Sequence, residues 1–205
     1  MASEMRDTDL KLVRERDGLS VNLRALQGLW TEEQYLSLTD HTRHLIEFTD
    51  GMIEVLPMPT DKHQVIIALL YELLTTFLRP LGGRVLFAPL RLQIRPGKQR
   101  EPDILLVRDA SDPRRQNRFW LGADLVVEVV SPDDPARDTV EKVTDYTEAG
   151  IPEYWIVNPE DETITVLSLQ GQAYVTHGIF RRGDIASSVL LAGFTAEVSA
   201  VLDAS

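Results

Sequence analysis

The sequence predicts an α/β fold: a mixed sheet flanked by helices, with core order α-β-β-β-α-β and a β-hairpin towards each end. Three observations predict it. Ile66, Ile67, Leu70, Leu73, Leu74, Phe77 and Leu78 recur with the helical period. Short apolar runs follow at 84–88 (continuing at 90–94), 103–107 and 125–130, bounded by Gly and Pro. A second helical stretch closed by Gly150 then leads into another apolar run at 153–157, the alternation expected when helices cover both faces of a sheet.

In chain order, residues 1–20 are polar and read as a flexible segment, and 21–205 as one domain. Thr31-Glu32-Glu33-Gln34 has the form of a capping box opening a short helix. Residues 44–48 and 52–56 flank Asp50-Gly51, a hairpin signal. Pro57 and Pro59 end that hairpin, and Thr60 is placed to cap the long helix, which Pro80 and Gly82-Gly83 stop. Ser131-Pro132 closes the run at 125–130, and Asp133 or Asp134 starts a helix through about residue 149. Runs at 163–167 and 173–176 around Gln170-Gly171 predict the second hairpin. A strand near 188–190 and a helical turn near 196–202 complete the chain.

The bulk composition narrows the chemistry. With 205 residues, 43% hydrophobic and 26% charged, the chain has the make-up of a globular protein. It has no cysteine, so disulfides and thiolate metal sites are excluded. The first residues carry no apolar signal core, and no apolar run reads as long as the ~18 residues of a membrane span; no membrane partner and a cytoplasmic location are expected. Lys+Arg 21 against Asp+Glu 32 gives a net charge of −11. Proteins that bind polyanions usually present a basic face. Two basic clusters, Arg91, Arg95, Lys98 and Arg100, and Arg114, Arg115 and Arg118, are candidate phosphate contacts or plain solvated loop charges.

Asp103 opens one apolar run, and Glu128 sits inside the next, Leu125-Val126-Val127-Glu128-Val129-Val130. A charge in such a run needs something to offset its desolvation. A divalent cation is the simplest offset, because carboxylate oxygens suit Mg²⁺ or Mn²⁺. Alternation puts Val126, Glu128 and Val130 on one face. On the following helix Asp138, Lys142 and Tyr146 share a face at four-residue spacing. Lys142 either joins the two carboxylates or forms a surface ion pair with Asp138. Two carboxylates and an amine around one cation is an arrangement suited to phosphodiester hydrolysis.

The ordered set of motifs resembles a known family: Ile46-Glu47-Phe48-Thr49-Asp50-Gly51, Pro57-Met58-Pro59-Thr60-Asp61-Lys62-His63, Glu101-Pro102-Asp103, Leu125-Val126-Val127-Glu128-Val129-Val130-Ser131-Pro132, then Asp138, Lys142 and Tyr146, then Gly150-Ile151-Pro152-Glu153-Tyr154-Trp155. It looks like the Uma2-type restriction endonuclease family of the PD-(D/E)XK superfamily, over about residues 30–167. The resemblance implies a restriction-endonuclease-like core, Mg²⁺ or Mn²⁺ held by Asp103 and Glu128, catalytic Lys142, a nucleic-acid substrate (DNA first) and a homodimer. The superfamily lysine usually lies two residues after the glutamate, where this chain has Val130; the family pattern supplies it from the next helix, here as Lys142.

Glu47 and His63 also match the family. Glu47 is a further carboxylate, a group orienting a ligand, or a solvated strand residue. His63, in the first turn of the long helix, is a metal ligand or general base, or has a capping or packing role. Glu54 and Glu72 read as solvated, and Tyr154-Trp155 as packing. The competing functional class is a non-catalytic binding or assembly module that retains the fold, which the net charge favours. A hydrolase of RNA or another phosphate ester is the third reading.

Overall fold

The computed structural model describes residues 11–14 and 16–205. In chain order the elements are β1 (Lys11–Val13), β2 (Ser20–Asn22), α1 (Glu32–Thr39), β3 (Ile46–Thr49), β4 (Met52–Val55), α2 (Asp61–Leu78), β5 (Arg84–Phe87), β6 (Leu92–Arg95), β7 (Lys98–Arg100), β8 (Ile104–Val107), β9 (Leu125–Val129), α3 (Lys142–Glu148), β10 (Glu153–Asn158), β11 (Thr163–Gln170), β12 (Ala173–Arg181), β13 (Ile185–Ser187), β14 (Thr195–Glu197) and α4 (Val198–Leu202). They fall into two compact units. One holds the described residues up to Met58 together with Pro96–Arg100; the other holds Pro59–Arg95 and Glu101–Ser205.

In the smaller unit, the segment expected to be flexible contributes β1, which pairs antiparallel with β2; residues 1–10 and Glu15 of that segment lie outside the described residues. The capping box forms: the Gln34 amide donates to Thr31 Oγ1 at 3.2 Å, and the Thr31 amide donates to Gln34 Oε1 at 2.9 Å. The turn between β3 and β4 puts Asp50 and Gly51 at φ 47° and 84°, the left-handed pair a two-residue hairpin needs. Gly51 has a second constraint, since a Cβ there would lie 2.6 Å from the Gly28 carbonyl oxygen. β7, which pairs with the far side of β3, was not legible in the sequence: Lys98-Gln99-Arg100 has no apolar signal.

The larger unit is built on a six-stranded sheet of order β12-β11-β10-β9-β8-β5. β9 and β10 run parallel and the other neighbouring pairs antiparallel. Strand alternation divides the core in two. Ile104, Leu106, Val127 and Val129 pack with Ile66, Leu70 and Leu74 of α2. Leu105, Val107, Val126 and Val130 pack on the other face with Tyr146 of α3. The predicted helix–strand order thus holds, with α2 and α3 on opposite faces. By length and composition alone α2 and its extension, Asp61–Leu81, would suit a membrane span, contrary to the sequence reading. Its apolarity is accounted for by the side chains it buries against the sheet.

Two boundaries differ from expectation. The helix expected from Asp133 or Asp134 opens with a wide π turn at Arg137–Glu141 before α3. Residues 188–190 form no strand, because their polar groups are taken elsewhere. The Val189 and Leu190 amides each donate to Glu153 Oε2 at 2.7 Å, and Ser188 Oγ donates to Oε1 at 2.6 Å.

Candidate active site

Asp103 immediately precedes β8, and Glu128 is the fourth residue of β9. The register pairs Ile104 with Val127, so Asp103 and Glu128 stand opposite each other one step further along. They are tied through the main chain. The Asp103 amide donates to Glu128 Oε2 at 3.3 Å, and the Val129 amide donates to Asp103 Oδ2 at 2.8 Å.

Lys142, the first residue of α3, reaches this pair from the sheet face that also carries Val126 and Val130. Its Nζ lies 2.9 Å from Glu128 Oε2 and 3.0 Å from Asp138 Oδ1. The Asp138–Lys142 pair of the sequence reading exists, but it is buried and not a surface pair. Tyr146, one turn on, donates its hydroxyl to Glu128 Oε1. From the other face, His63 Nε2 lies 3.2 Å from Asp103 Oδ2; its backbone amide donates to the N-cap Thr60, so the capping function belongs to Thr60. The fold therefore brings Asp103, Glu128, Lys142, Tyr146 and His63 together in the larger unit.

Glu47 lies in the smaller unit. It is buried in β3 opposite Glu54, with Arg100 Nε 3.4 Å from its Oε2, so the solvated alternative does not hold. Glu54 is partly exposed and Glu72 exposed. Several of the basic residues are engaged by acids or aromatics of the chain itself. Arg95 pairs with Glu148 at 2.7 Å, Arg114 with Asp112 and Asp124 at 2.5 and 2.6 Å, and the Arg115 guanidinium lies 5.4 Å from the Trp120 ring centre.

Sequence reasoning missed Tyr154 and undervalued Asp138. Tyr154 donates its hydroxyl to the Asp138 main-chain carbonyl at 2.8 Å, and its ring packs edge-on against Tyr146 with centres 4.9 Å apart. Asp138 Oδ2 accepts from the Ser131 amide at 3.4 Å. The four-residue spacing of Asp138, Lys142 and Tyr146 was the available signal for Asp138; nothing in the sequence separates Tyr154 from ordinary core packing.

The electrostatics are those of an acidic cluster short of positive charge. Burial pushes the Glu128 carboxyl up and Lys142 pulls it down; Asp103 and Asp138 push it up again and Tyr146 lowers it, leaving it at about 8. Burial lowers His63, but the hydrogen bond and charge of Asp103, the charge of Asp138 and the Val129 backbone outweigh it, so its pKa is raised. Among the described residues no three His, Asp or Glu side chains stand ready-arranged as a metal-binding group. The donor set nevertheless fits a hard divalent cation. Two opposed carboxylates supply oxygen ligands, and Asp103, Glu128 and Asp138 face one ammonium, a surplus the protein meets by raising the proton affinities of Glu128 and His63.

The chain is similar to a solved protein from Anabaena variabilis ATCC 29413, described as a "putative nuclease belonging to DUF820", with 20% identity, a TM-score of 0.71, and coverage of 84% of this chain and 97% of that one. No curated protein matches. The fold is thus of the restriction-endonuclease-like α/β class. The chain belongs to the Uma2 family, whose model, described as "Putative restriction endonuclease", matches residues 32–200.

Proposed function

We propose that the chain is a divalent-metal-dependent endonuclease, with DNA as substrate and a homodimer as the working form. One observation carries this reading: Asp103, Glu128 and Lys142, distant in sequence, meet in one buried cluster in which Lys142 Nζ is 2.9 Å from the Glu128 carboxylate. The family description and the fold of the Anabaena protein agree with it.

Asp103 and Glu128 would hold Mg²⁺ or Mn²⁺. Bound there, the ion supplies Lewis acidity to a phosphoryl oxygen and a more acidic water. Lys142 offers a fixed positive charge where negative charge builds up on the phosphate oxygens during hydrolysis. Tyr146 and the Asp103 amide fix the two oxygens of Glu128. His63 and the Val129 amide orient Asp103 through Oδ2.

The test is cleavage of supercoiled plasmid, single-stranded DNA and RNA, with Mn²⁺ or with EDTA, by the wild type and by the Asp103→Ala and Glu128→Ala variants. Metal-dependent nicking of DNA that both variants lose is the expected result. Activity retained in both variants overturns the site. The −11 charge favours a second reading, an assembly module without catalysis; absence of cleavage on every substrate, by a protein that still associates, selects it.

A further inference from the structure

We propose that Tyr154 is a positioning residue for Lys142, acting through the π turn that carries Asp138. The proposal rests on the reading of Lys142 as the cationic group of the site.

In an α-helix the Lys142 amide would donate to the Asp138 carbonyl, four residues back. Here it donates to the Arg137 carbonyl, five residues back, as a π turn requires. The Asp138 carbonyl loses its ordinary helical donor, and the Tyr154 hydroxyl takes the place at 2.8 Å, away from solvent. Tyr154 comes from β10, where it pairs with Val126, two residues before Glu128 on β9. One tyrosine therefore ties the strand next to Glu128 to the turn that launches Lys142.

Both ends of Asp138 are used. Its carbonyl is held by Tyr154, and its carboxylate lies 3.0 Å from Lys142 Nζ on the side away from Glu128. Fixing the carbonyl fixes the residue from which that carboxylate aims the ammonium. The partner group is held in the same way: the Tyr146 ring packs on Tyr154 and its hydroxyl holds Glu128. A packing role alone would be met by phenylalanine, since a buried hydroxyl costs stability unless it is bonded. Burial and the neighbouring carboxylates raise the Tyr154 pKa well above its ordinary value, so the phenol stays a donor.

The experiment uses the full chain with lysine ammonium groups labelled with ¹⁵N. The sequence has four lysines, Lys11, Lys62, Lys98 and Lys142, and loss of one signal in Lys142→Arg assigns the sheltered one. In Tyr154→Phe the Lys142 ammonium protons should exchange with water at least about tenfold faster, the change expected when one buried hydrogen bond is lost. Tyr174→Phe is the control. It removes a hydroxyl bonded to the Ile151 carbonyl at 2.7 Å, away from the turn, and should leave the signal as in the wild type. 4-Aminophenylalanine at position 154 keeps a ring donor; it should restore the protected signal, and it serves if the phenylalanine variant does not fold.

An unchanged Lys142 signal in Tyr154→Phe, or an equal disturbance in Tyr174→Phe, overturns the proposal. In the cleavage assay kcat should fall about tenfold with KM unchanged. The magnetic resonance result judges the positioning by itself; a wild type that cleaves nothing removes the nuclease reading alone.

Discussion

The Lys142 ammonium stands 2.9 Å from the Glu128 carboxylate, and neither side chain is more than 6% exposed. In such a setting removing one charge leaves the other without compensation.

Lys142→Met should therefore destabilise the protein by about 3–5 kcal/mol, the cost of an unpartnered buried charge. Adding Glu128→Gln to it should recover a large part of that loss. Urea denaturation of the two single variants and the double variant, near neutral pH, measures both. A double variant no more stable than Lys142→Met would mean that the pair is not coupled.

Metal should bind to the folded state and raise the melting temperature. At an ion concentration about tenfold above Kd the gain is about 1.4 kcal/mol. Calorimetric scans with and without Mn²⁺ should show a rise in the wild type and none in Asp103→Asn or Glu128→Gln. A wild-type melting temperature indifferent to millimolar metal counts against the proposed cofactor.

His63 makes stability depend on pH in a fixed direction. Its pKa is raised above 6.5 in the folded protein, chiefly because Asp103 outweighs burial. The folded state then binds the proton more tightly, and the contribution is complete below about pH 6.5 and is lost as pH rises through the folded value. The stability difference between the wild type and His63→Asn should accordingly shrink from pH 6 to pH 8 (about neutrality on either side). A constant or growing difference would contradict the Asp103 contact.

Arg114 bridges Asp112 and Asp124 and also donates to the Ala123 carbonyl at 3.3 Å. Its guanidinium is over a third exposed, so solvent screens part of the effect. Arg114→Ala should cost about 1–2 kcal/mol. Arg114 holds the Asp112 carboxyl below its usual range, so this contribution is present above about pH 4 and is lost as pH falls through the lowered value. Denaturation curves at several pH values check both size and sign.

Glu153 should act as a staple for the segment 188–190. Its carboxylate accepts from Trp155 Nε1, Ser188 Oγ and the Val189 and Leu190 amides, at 2.6–2.7 Å. In Glu153→Gln an amide NH₂ must face one of these donors, leaving a buried group unmatched at about 1–3 kcal/mol. Hydrogen exchange at the Val189 and Leu190 amides should accelerate more than exchange in β9. Uniform acceleration would mean that Glu153 stabilises the fold generally and not this segment.

The legible parts of the fold were those where one local signal had one physical cause. Thr60 and the 3.6-residue spacing gave α2 to the residue, and Asp50-Gly51 gave its turn. Alternation around Glu128 put it on the face that α3 covers. Lys142 was identifiable from its spacing to Asp138 and Tyr146, but its burial was not, since a lysine on an amphipathic helix has the same pattern at a surface. β7 and the segment 188–190 were misread because hydrogen-bonding partners distant in sequence decide them: β3 recruits polar Lys98–Arg100, and Glu153 captures the amides a strand would have used. Glu47 was opaque for the same reason, its counter-charge Arg100 lying far along the chain.

The wide turn at Arg137–Glu141 acts as a phase setting. Deleting a single residue there would rotate everything downstream by about 100° around the helix axis, carrying the amine away from the strand it serves while sparing the hydrophobic composition. The number of residues separating Glu128 from Lys142 is thus as exacting a requirement as their chemical identity, and a frame-preserving deletion in this short stretch should silence the protein as completely as replacing either one.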